Sequence, residues 1–363
     1  MLSVRNNICD RPHFIYQFNL SIGLDSIPCS ARVRPLKKFG NNSTKMTFFQ
    51  STVANDLCAV NQLILDNLQS DVALVGNVGS YIIDAGGKRL RPILVLHSAL
   101  ANGYAKGDNH LKIAAVIEFI HTATLLHDDV VDLSQLRRGR QTANAVWGNA
   151  PSVLVGDFLY SRAFQMLVEI ADMQVMGTIA NATNVISEGE VQQLANAGNS
   201  NLDEQTYLEV IYRKTARLFE AACECGAIIA DGNREAMANY GKYLGMAFQI
   251  ADDVLDLKGD VEVTGKNIGD DLAEGKMTLP VIFARDNADL QDKQLLQQAF
   301  ESKSSEKFDQ VLEIVTKSGG LEYSLKRAQE NCDLAKKAIQ PLEDSDHKQV
   351  LLKLADFAIA RDA

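Results

Sequence analysis

The sequence predicts an all-α protein, and three observations carry that expectation. Apolar residues recur at i, i+3, i+4 and i+7 in a series of segments too long to be strands. Alternating apolar and polar runs joined by hairpin turns are missing. From Met46 onward the prolines are Pro92, Pro151, Pro280 and Pro341, and the first two stand where a helix would begin. At 363 residues, 46% hydrophobic and 23% charged, the composition is that of a globular protein, and no apolar run reaches membrane-spanning length.

Taken in order, residues 1–45 differ from the rest. They hold seven Lys/Arg against two Asp, so they carry +5 of a chain whose net charge is −10, leaving −15 for the remainder. They also contain Pro12, Pro28 and Pro35 and show no sustained period, which predicts a disordered extension ahead of a domain spanning 46–363. Such an Arg-bearing, acid-poor leader fits an organelle transit peptide, or upstream sequence before a start at Met46; the reading favours the second and a cytoplasmic enzyme, with mitochondria as the alternative. The six cysteines lack zinc or CxxC spacing, and a reducing compartment is the default.

The helical segments follow: "VANDLCAVNQLILDNL", "HLKIAAVIEFIHTATLLHDDVVD", "SVLVGDFLYSRAFQMLVEIA", "YLEVIYRKTARLFEAACECGAIIA" and "YGKYLGMAFQIADDVLDL". They predict one large bundle, with room for a further C-terminal helical subdomain after about Leu290. An acidic body argues against nucleic acid as a partner.

Two of these helices carry an anomaly. "LLHDDVVD" places Asp128, Asp129 and Asp132 at i, i+1 and i+4, and "QIADDVLD" places Asp252, Asp253 and Asp256 likewise. Like charges one turn apart repel. A single copy reads equally well as a solvated acidic face, but two copies on otherwise apolar helices ask for a cation. Hard divalent ions take oxygen ligands, and Mg²⁺ combines carboxylates with substrate phosphates. Basic residues follow in Gly-containing stretches: Lys88 and Arg91 in "GGKRLRP", Arg137 and Arg138 in "RRGR", Lys214 in "RKTARLF" and Lys266 in "TGKN". Lys supplies a point charge and Arg can grip two phosphate oxygens. Gly86 and Gly87 admit close backbone approach.

"GGKRLRP", "LLHDDVVD…RRGR", "GDFLYSRAF", "KTARLFEAA" and "FQIADDVLD…GKNIGDDLAEGKMTLP" together resemble the ordered motifs of trans-isoprenyl diphosphate synthases. The resemblance runs from Met46 to the C-terminus. In "EFIHTATLLHDDVVD" and "VISEGEVQQL" it is closest to the bacterial octaprenyl members that make quinone side chains. It implies a helical bundle of the isoprenoid synthase type around a central catalytic cavity. It implies a Mg²⁺ cluster of three ions with the substrate diphosphate, condensation of isopentenyl diphosphate with an allylic prenyl diphosphate such as farnesyl diphosphate, and a homodimer.

Residue by residue, the resemblance makes Asp128, Asp129, Asp132, Asp252, Asp253 and Asp256 metal ligands. It places Lys88, Arg91, His121 and Arg138 at isopentenyl diphosphate, and Arg137, Lys214, Thr215, Gln249 and Lys266 at the allylic side, with Thr215 and Gln249 turning oxygens toward the cation. Below Asp128 one helix face carries Thr124, Ala123, Ile120, Ile117 and Val116, so each turn of about 5.4 Å adds depth for a growing tail. Small residues at 123 and 124 let that tail pass to a floor formed by Phe164, Met166 or Leu167.

His127 reads as a packing residue beside the acids, and Asp270 and Asp271 as a loop or cap in preference to acids that reach metal-bound water. "VNQLILDNL" is the expected part of the dimer interface, and an insoluble product would bring transient membrane contact at release. The alternatives are a shorter-chain, geranylgeranyl-type synthase, a terpene cyclase, a noncatalytic synthase subunit and a helical scaffold. A cyclase is expected to carry Asn, Ser and Glu at its second acidic motif, a noncatalytic subunit to lose one acidic or basic set, and a scaffold to need neither.

Overall fold

The computed structural model of the chain describes residues 46, 48–258 and 269–360. The leader and Lys266 lie outside them. Helices follow one another as α1 (Ala54–Asn67), α2 (Ala73–Asp84), α3 (Leu90–Ala101) and α4 (Asn109–Val131). A hairpin of β1 (Leu136–Arg137) and β2 (Arg140–Gln141) leads to α5 (Ala143–Trp147), α6 (Asn149–Ile170), α7 (Met173–Asn196) and α8 (Glu204–Ile211). A π-helical turn (Tyr212–Ala216) joins α8 to α9 (Arg217–Ile229). Then come α10 (Arg234–Lys258), α11 (Asp270–Ala273), α12 (Leu279–Asn287), α13 (Leu290–Glu301), α14 (Phe308–Ser318), α15 (Gly320–Ala338) and α16 (Asp346–Ile359).

Side chains fix several helix starts by accepting from backbone N–H groups that have no intrahelical partner. Asp172 caps α7 through Gln174 and Val175, Asp203 caps α8 through Thr206, and Ser345 caps α16 through Lys348.

The interior has two apolar clusters. The larger gathers α1 to α4, α6, α7 and α9; the second gathers Tyr207 and Ile211 with most of α12 to α14. Two long helices belong to both. The α10 helix gives Met237, Tyr240 and Leu244 to the first and Ile250, Val254 and Leu257 to the second, while α15 gives Leu321 and Ala328 to the second and Cys332 and Ala335 to the first. They pack antiparallel along their length. The C-terminal helices therefore share a core with α8 and α10, and the described residues fall in one compact unit. Among the described residues, no separate compact unit begins near Leu290.

Two local features escaped the periodicity. "RRGR" forms the tip of the hairpin, with Arg138 at φ 54° and Gly139 at φ 71°, the pair of positive angles that a tight type I′ turn requires. The segment read as one helix over 207–230 is interrupted at 212–216, and Lys214 and Thr215 lie in that π turn. Such turns insert one residue into a helix and re-aim its side chains. Glycines make room for it on two sides. A Cβ on Gly189 of α7 would stand 2.8 Å from the Lys214 backbone nitrogen, and one on Gly245 of α10 would stand 2.6 Å from Ala216 Cα.

Candidate active site

Both acidic sets lie at the C-terminal ends of long helices, α4 and α10, where the helix dipole already disfavours negative charge. The first and last acid of each set are half-buried, whereas the middle one is turned into the protein. Asp129 is fully buried and accepts from Arg137 Nε at 2.8 Å and Nη2 at 2.7 Å. Asn144 Nδ2 donates to the carbonyls of Asp129 and Ser134, and Thr142 to that of Ser134, which folds the hairpin back onto the end of α4. Asp253, also buried, accepts from the Tyr207 hydroxyl at 2.6 Å and Gln249 Nε2 at 2.7 Å. Asp129 and Asp253 are thus the two expected ligands already engaged by protein donors, Asp129 through Oδ1 alone, its Oδ2 being buried without a partner. Burial, and then Asp271, raise the Asp253 carboxyl well above its usual range.

Asp128 and Asp132 meet lysines instead. Lys214 Nζ is 3.7 Å from Asp128 and 2.7 Å from Glu190, and Lys276 Nζ is 3.1 Å from Asp132 and also pairs with Glu274. Gln193, with its amide oxygen turned toward the ammonium groups, accepts from both at 3.2 and 3.3 Å. Burial raises the Asp128 carboxyl, Lys214 opposes this and Asp132 adds to it; burial likewise pushes Glu190 up to about 6. Burial lowers the Lys276 ammonium, but Asp132, Glu274 and Asp271 together hold it above its ordinary value.

At the second set, burial and then Asp271 push Asp256 up to about 9, and one of its oxygens, Oδ2, is buried without a partner. Asp271 thus acts electrostatically as well as structurally, and its backbone N–H donates to the Asp256 carboxylate. Thr215 donates to Gln249 Oε1 at 2.9 Å, so that Gln249 is held at both ends. The Gln249 amide oxygen thus accepts from the Thr215 hydroxyl, whose own oxygen keeps lone pairs.

Cations gather beside the first set. Arg89, at φ 50° before α3, pairs with buried Glu118 of α4, and Arg91 Nη1 is 3.2 Å from His121 Nε2. Arg91 lies over the Phe219 ring at 4.6 Å, and burial lowers it to about 10, with one nitrogen buried and unpaired. Burial and four neighbouring arginines hold His121 well below its normal value, so it is neutral. The Arg138 guanidinium covers Gly87, where a Cβ would come 3.0 Å from Nη1. Lys88 Nζ stands 5.8 Å from the Phe357 ring of α16. Four arginines, Arg89, Arg91, Arg137 and Arg138, interact with Glu118 and Asp129, an excess of positive charge that suits an anion.

Along α4, Ala123 and Ile120 are fully enclosed and Thr124 is half-buried; Met166 and Leu167 of α6 are buried and Phe164 packs partly exposed. His127 packs, stacking on Tyr160 and lying 3.2 Å from the Val153 carbonyl. A separate groove of about 730 Å³ is lined by Leu68, Tyr81, Arg140 and Trp147 among others, and contains none of the residues above. Sequence reasoning missed Arg89, Glu118, Glu190, Gln193, Tyr207, Glu274 and Lys276. Glu190 and Gln193 were signalled only by polar residues in "VISEGEVQQL", and Lys276 only by "EGK".

The polyprenyl synthetase family model matches residues 72–317, a span that contains both acidic helices and every arginine of the cationic pocket. The chain belongs to the polyprenyl synthetase family. This polyprenyl synthetase is 48% identical over 311 residues to the octaprenyl diphosphate synthase of Haemophilus influenzae, covering 85% of this chain and 94% of that one. It is 45% identical over 311 residues to the geranyl-diphosphate-specific all-trans-nonaprenyl-diphosphate synthase of Rhodobacter capsulatus, covering 85% and 96%. Its fold is similar to the crystal structure of a Caulobacter crescentus polyprenyl synthase complexed with calcium and isoprenyl diphosphate. The TM-score is 0.84 at 44% identity, covering 90% of this chain and all of that one. The polyprenyl synthetase is a prenyltransferase of the all-α isoprenoid synthase fold.

Proposed function

We propose that the protein extends an allylic prenyl diphosphate with isopentenyl diphosphate in the presence of Mg²⁺, making a long all-trans product of octaprenyl size for a quinone side chain. The observation that carries this reading is the division within each acidic set: Asp128 and Asp132, like Asp252 and Asp256, stay half-exposed while their middle partners are buried on protein donors. Among the described residues, no three His, Cys, Asp or Glu side chains converge to hold a metal unaided. The partnerless, buried Asp256 Oδ2 and the repelling pair Asp128 and Asp132 nevertheless fit a divalent ion that brings substrate oxygens with it. Asp128, Asp132, Asp252 and Asp256 would hold it, and when bound it supplies Lewis-acid stabilisation of the leaving pyrophosphate.

The chain's own groups do the rest. Lys214 and Arg137, with Lys266, hold the allylic diphosphate as its C1–O bond breaks and the electron pair passes to the pyrophosphate oxygen. Thr215 turns an oxygen lone pair toward the allylic cation. Lys88, Arg91 and Arg138 hold isopentenyl diphosphate so that its double bond attacks C1. The C2 proton leaves for a pyrophosphate oxygen and the new double bond forms. Neutral His121, beside Arg91, accepts or donates a hydrogen bond without adding charge.

Product size is supported by the octaprenyl and nonaprenyl names of the relatives and by small Ala123 and Thr124 below the first acids. A homodimer is supported by exposed Leu154, Val168, Met173, Val191 and Leu194 on α6 and α7. In the α1 stretch expected there, Val60, Ile64 and Leu68 turn into the chain's own core while Leu65 stays exposed. No described helix is long and apolar enough to cross a membrane. The proposed location is cytoplasmic, with membrane contact where the insoluble product is released. Incubation with farnesyl diphosphate, isopentenyl diphosphate and Mg²⁺ should yield octaprenyl diphosphate. A geranylgeranyl-sized end product would refute the chain length, and hydrocarbon formed without consuming isopentenyl diphosphate would refute elongation.

A further inference from the structure

We infer that Lys276 is a built-in counter-charge for Asp132 that competes with a divalent ion there, and that Glu274 is the carboxylate that keeps hold of it when Asp132 turns to another cation. This rests on the reading of Asp128 and Asp132 as diphosphate-metal ligands. Lys276 Nζ lies 3.1 Å from Asp132 and also touches Glu274; the three side chains are similarly enclosed, at 19%, 19% and 25% exposed. The Lys276 backbone N–H donates to the Asp271 carbonyl at 2.7 Å, so the segment carrying this ammonium is tied to the turn beside Asp256. Lys214 repeats the arrangement one helical turn away, between Asp128 and Glu190, and Gln193 serves both. Each lysine thus bridges one acid of the first motif and one acid outside it.

The logic is one of exchange. Without a bound cation, Asp128 and Asp132 would repel at the C-terminal end of α4; the two ammonium groups keep them together. A divalent ion competing for Asp132 must displace Lys276, which then stays with Glu274. Lys276 is a positioning residue in this scheme: it acts through Asp132.

The test is thermal unfolding of the full chain, metal-free and across a Mg²⁺ titration with saturating inorganic pyrophosphate. Lys276→Met should lower the metal-free midpoint by about 2–4 °C, and this deficit should nearly vanish with Mg²⁺ and pyrophosphate. Its half-saturating Mg²⁺ should fall about twofold to fivefold, because a competing cation is gone. Glu274→Gln should move half-saturation the other way, since Lys276 then clings to Asp132 alone. If Lys276→Met does not fold, Lys276→Gln and Glu274→Gln carry the same opposed expectations. An equal loss of stability with and without Mg²⁺, or shifts of one sign in both variants, overturns the inference and leaves Lys276 a structural ion pair. Wild-type protein that gains no stability from Mg²⁺ and pyrophosphate overturns the reading of the acids, and this inference with it.

Discussion

Replacements at Asp128 and Asp129 should have different outcomes, because α4 turns by about 100° between them and sends one carboxylate to the site and the other into Arg137. Asp128→Asn should cut turnover roughly a hundredfold or more with little change in denaturant stability, since it removes one of two repelling acids. Asp129→Asn should cost about 3 kcal/mol by leaving the Arg137 guanidinium without its counter-charge. Urea unfolding beside steady-state condensation separates the two; equal stability and equal loss of turnover in both would mean that the middle acid is a ligand after all. The sequence made all six aspartates legible as a set, and the cationic set with them, because charge on apolar helices stands out. It could not divide them. Whether a side chain meets solvent or an arginine depends on the hairpin folding back through Asn144 and Thr142, a tertiary event that leaves no period behind.

Among the elements, the π turn shows how far periodicity reaches. A single inserted residue hardly disturbs an i, i+3, i+4 pattern read over 24 positions, so Lys214 and Thr215 were placed on a helix without the feature that aims them. Gly189 and Gly245 were its sequence trace, meaningful only once α7 and α10 are known to press on it. Gly245→Ala should therefore cost about 1–3 kcal/mol and lower kcat by displacing Thr215. A variant of wild-type stability and turnover would show that the turn is not held there.

Helix α16 offers a pH dependence. Fully buried His97 of α3 shares a hydrogen bond with His347 of α16 at 3.0 Å, Nδ1 to Nδ1, so at least one of the two nitrogens must be unprotonated. Thr52 and the Phe49 carbonyl face the other nitrogen of His97, and Asp56 and Asp346 influence His347. Burial, and then His347, lower His97 to about 4. Between about 6.5 and 4 the unfolded chain binds the extra proton, so this contribution is complete above 6.5 and is lost as pH falls toward 4, up to about 3 kcal/mol. His97→Asn should flatten the acid limb of a stability–pH profile, and an unchanged limb would assign it to other groups.

At the scale of the whole molecule, the all-α expectation and most helix positions followed from apolar spacing, because each long helix buries one stripe. The sharing of two cores by α10 and α15 did not, since contacts between residues far apart in sequence leave no local pattern. Tail depth is a property of this packing too. Thr124, half-buried below Asp128, is a better position for a blocking ring than Ala123, which has no exposed surface. Thr124→Tyr should shorten the main product toward farnesyl or geranylgeranyl size while sparing ionisation, whereas Ala123→Tyr should chiefly destabilise by overpacking. Products of wild-type length from a folded Thr124→Tyr enzyme would place the tail along another wall.

The double allegiance of α10 also bears on how the gene can be cut. Ile250, Val254 and Leu257 form the underside of the turns that carry Asp252, Asp253 and Asp256, and helices encoded after Asn287 supply much of the apolar mass beneath them. A stop codon there would spare every candidate ligand and still leave the second acidic end without its mould. The residues after Asn287, which contribute none of the acidic or basic motifs, therefore specify catalysis as surely as the motifs do, and a nonsense change there should behave as a null allele.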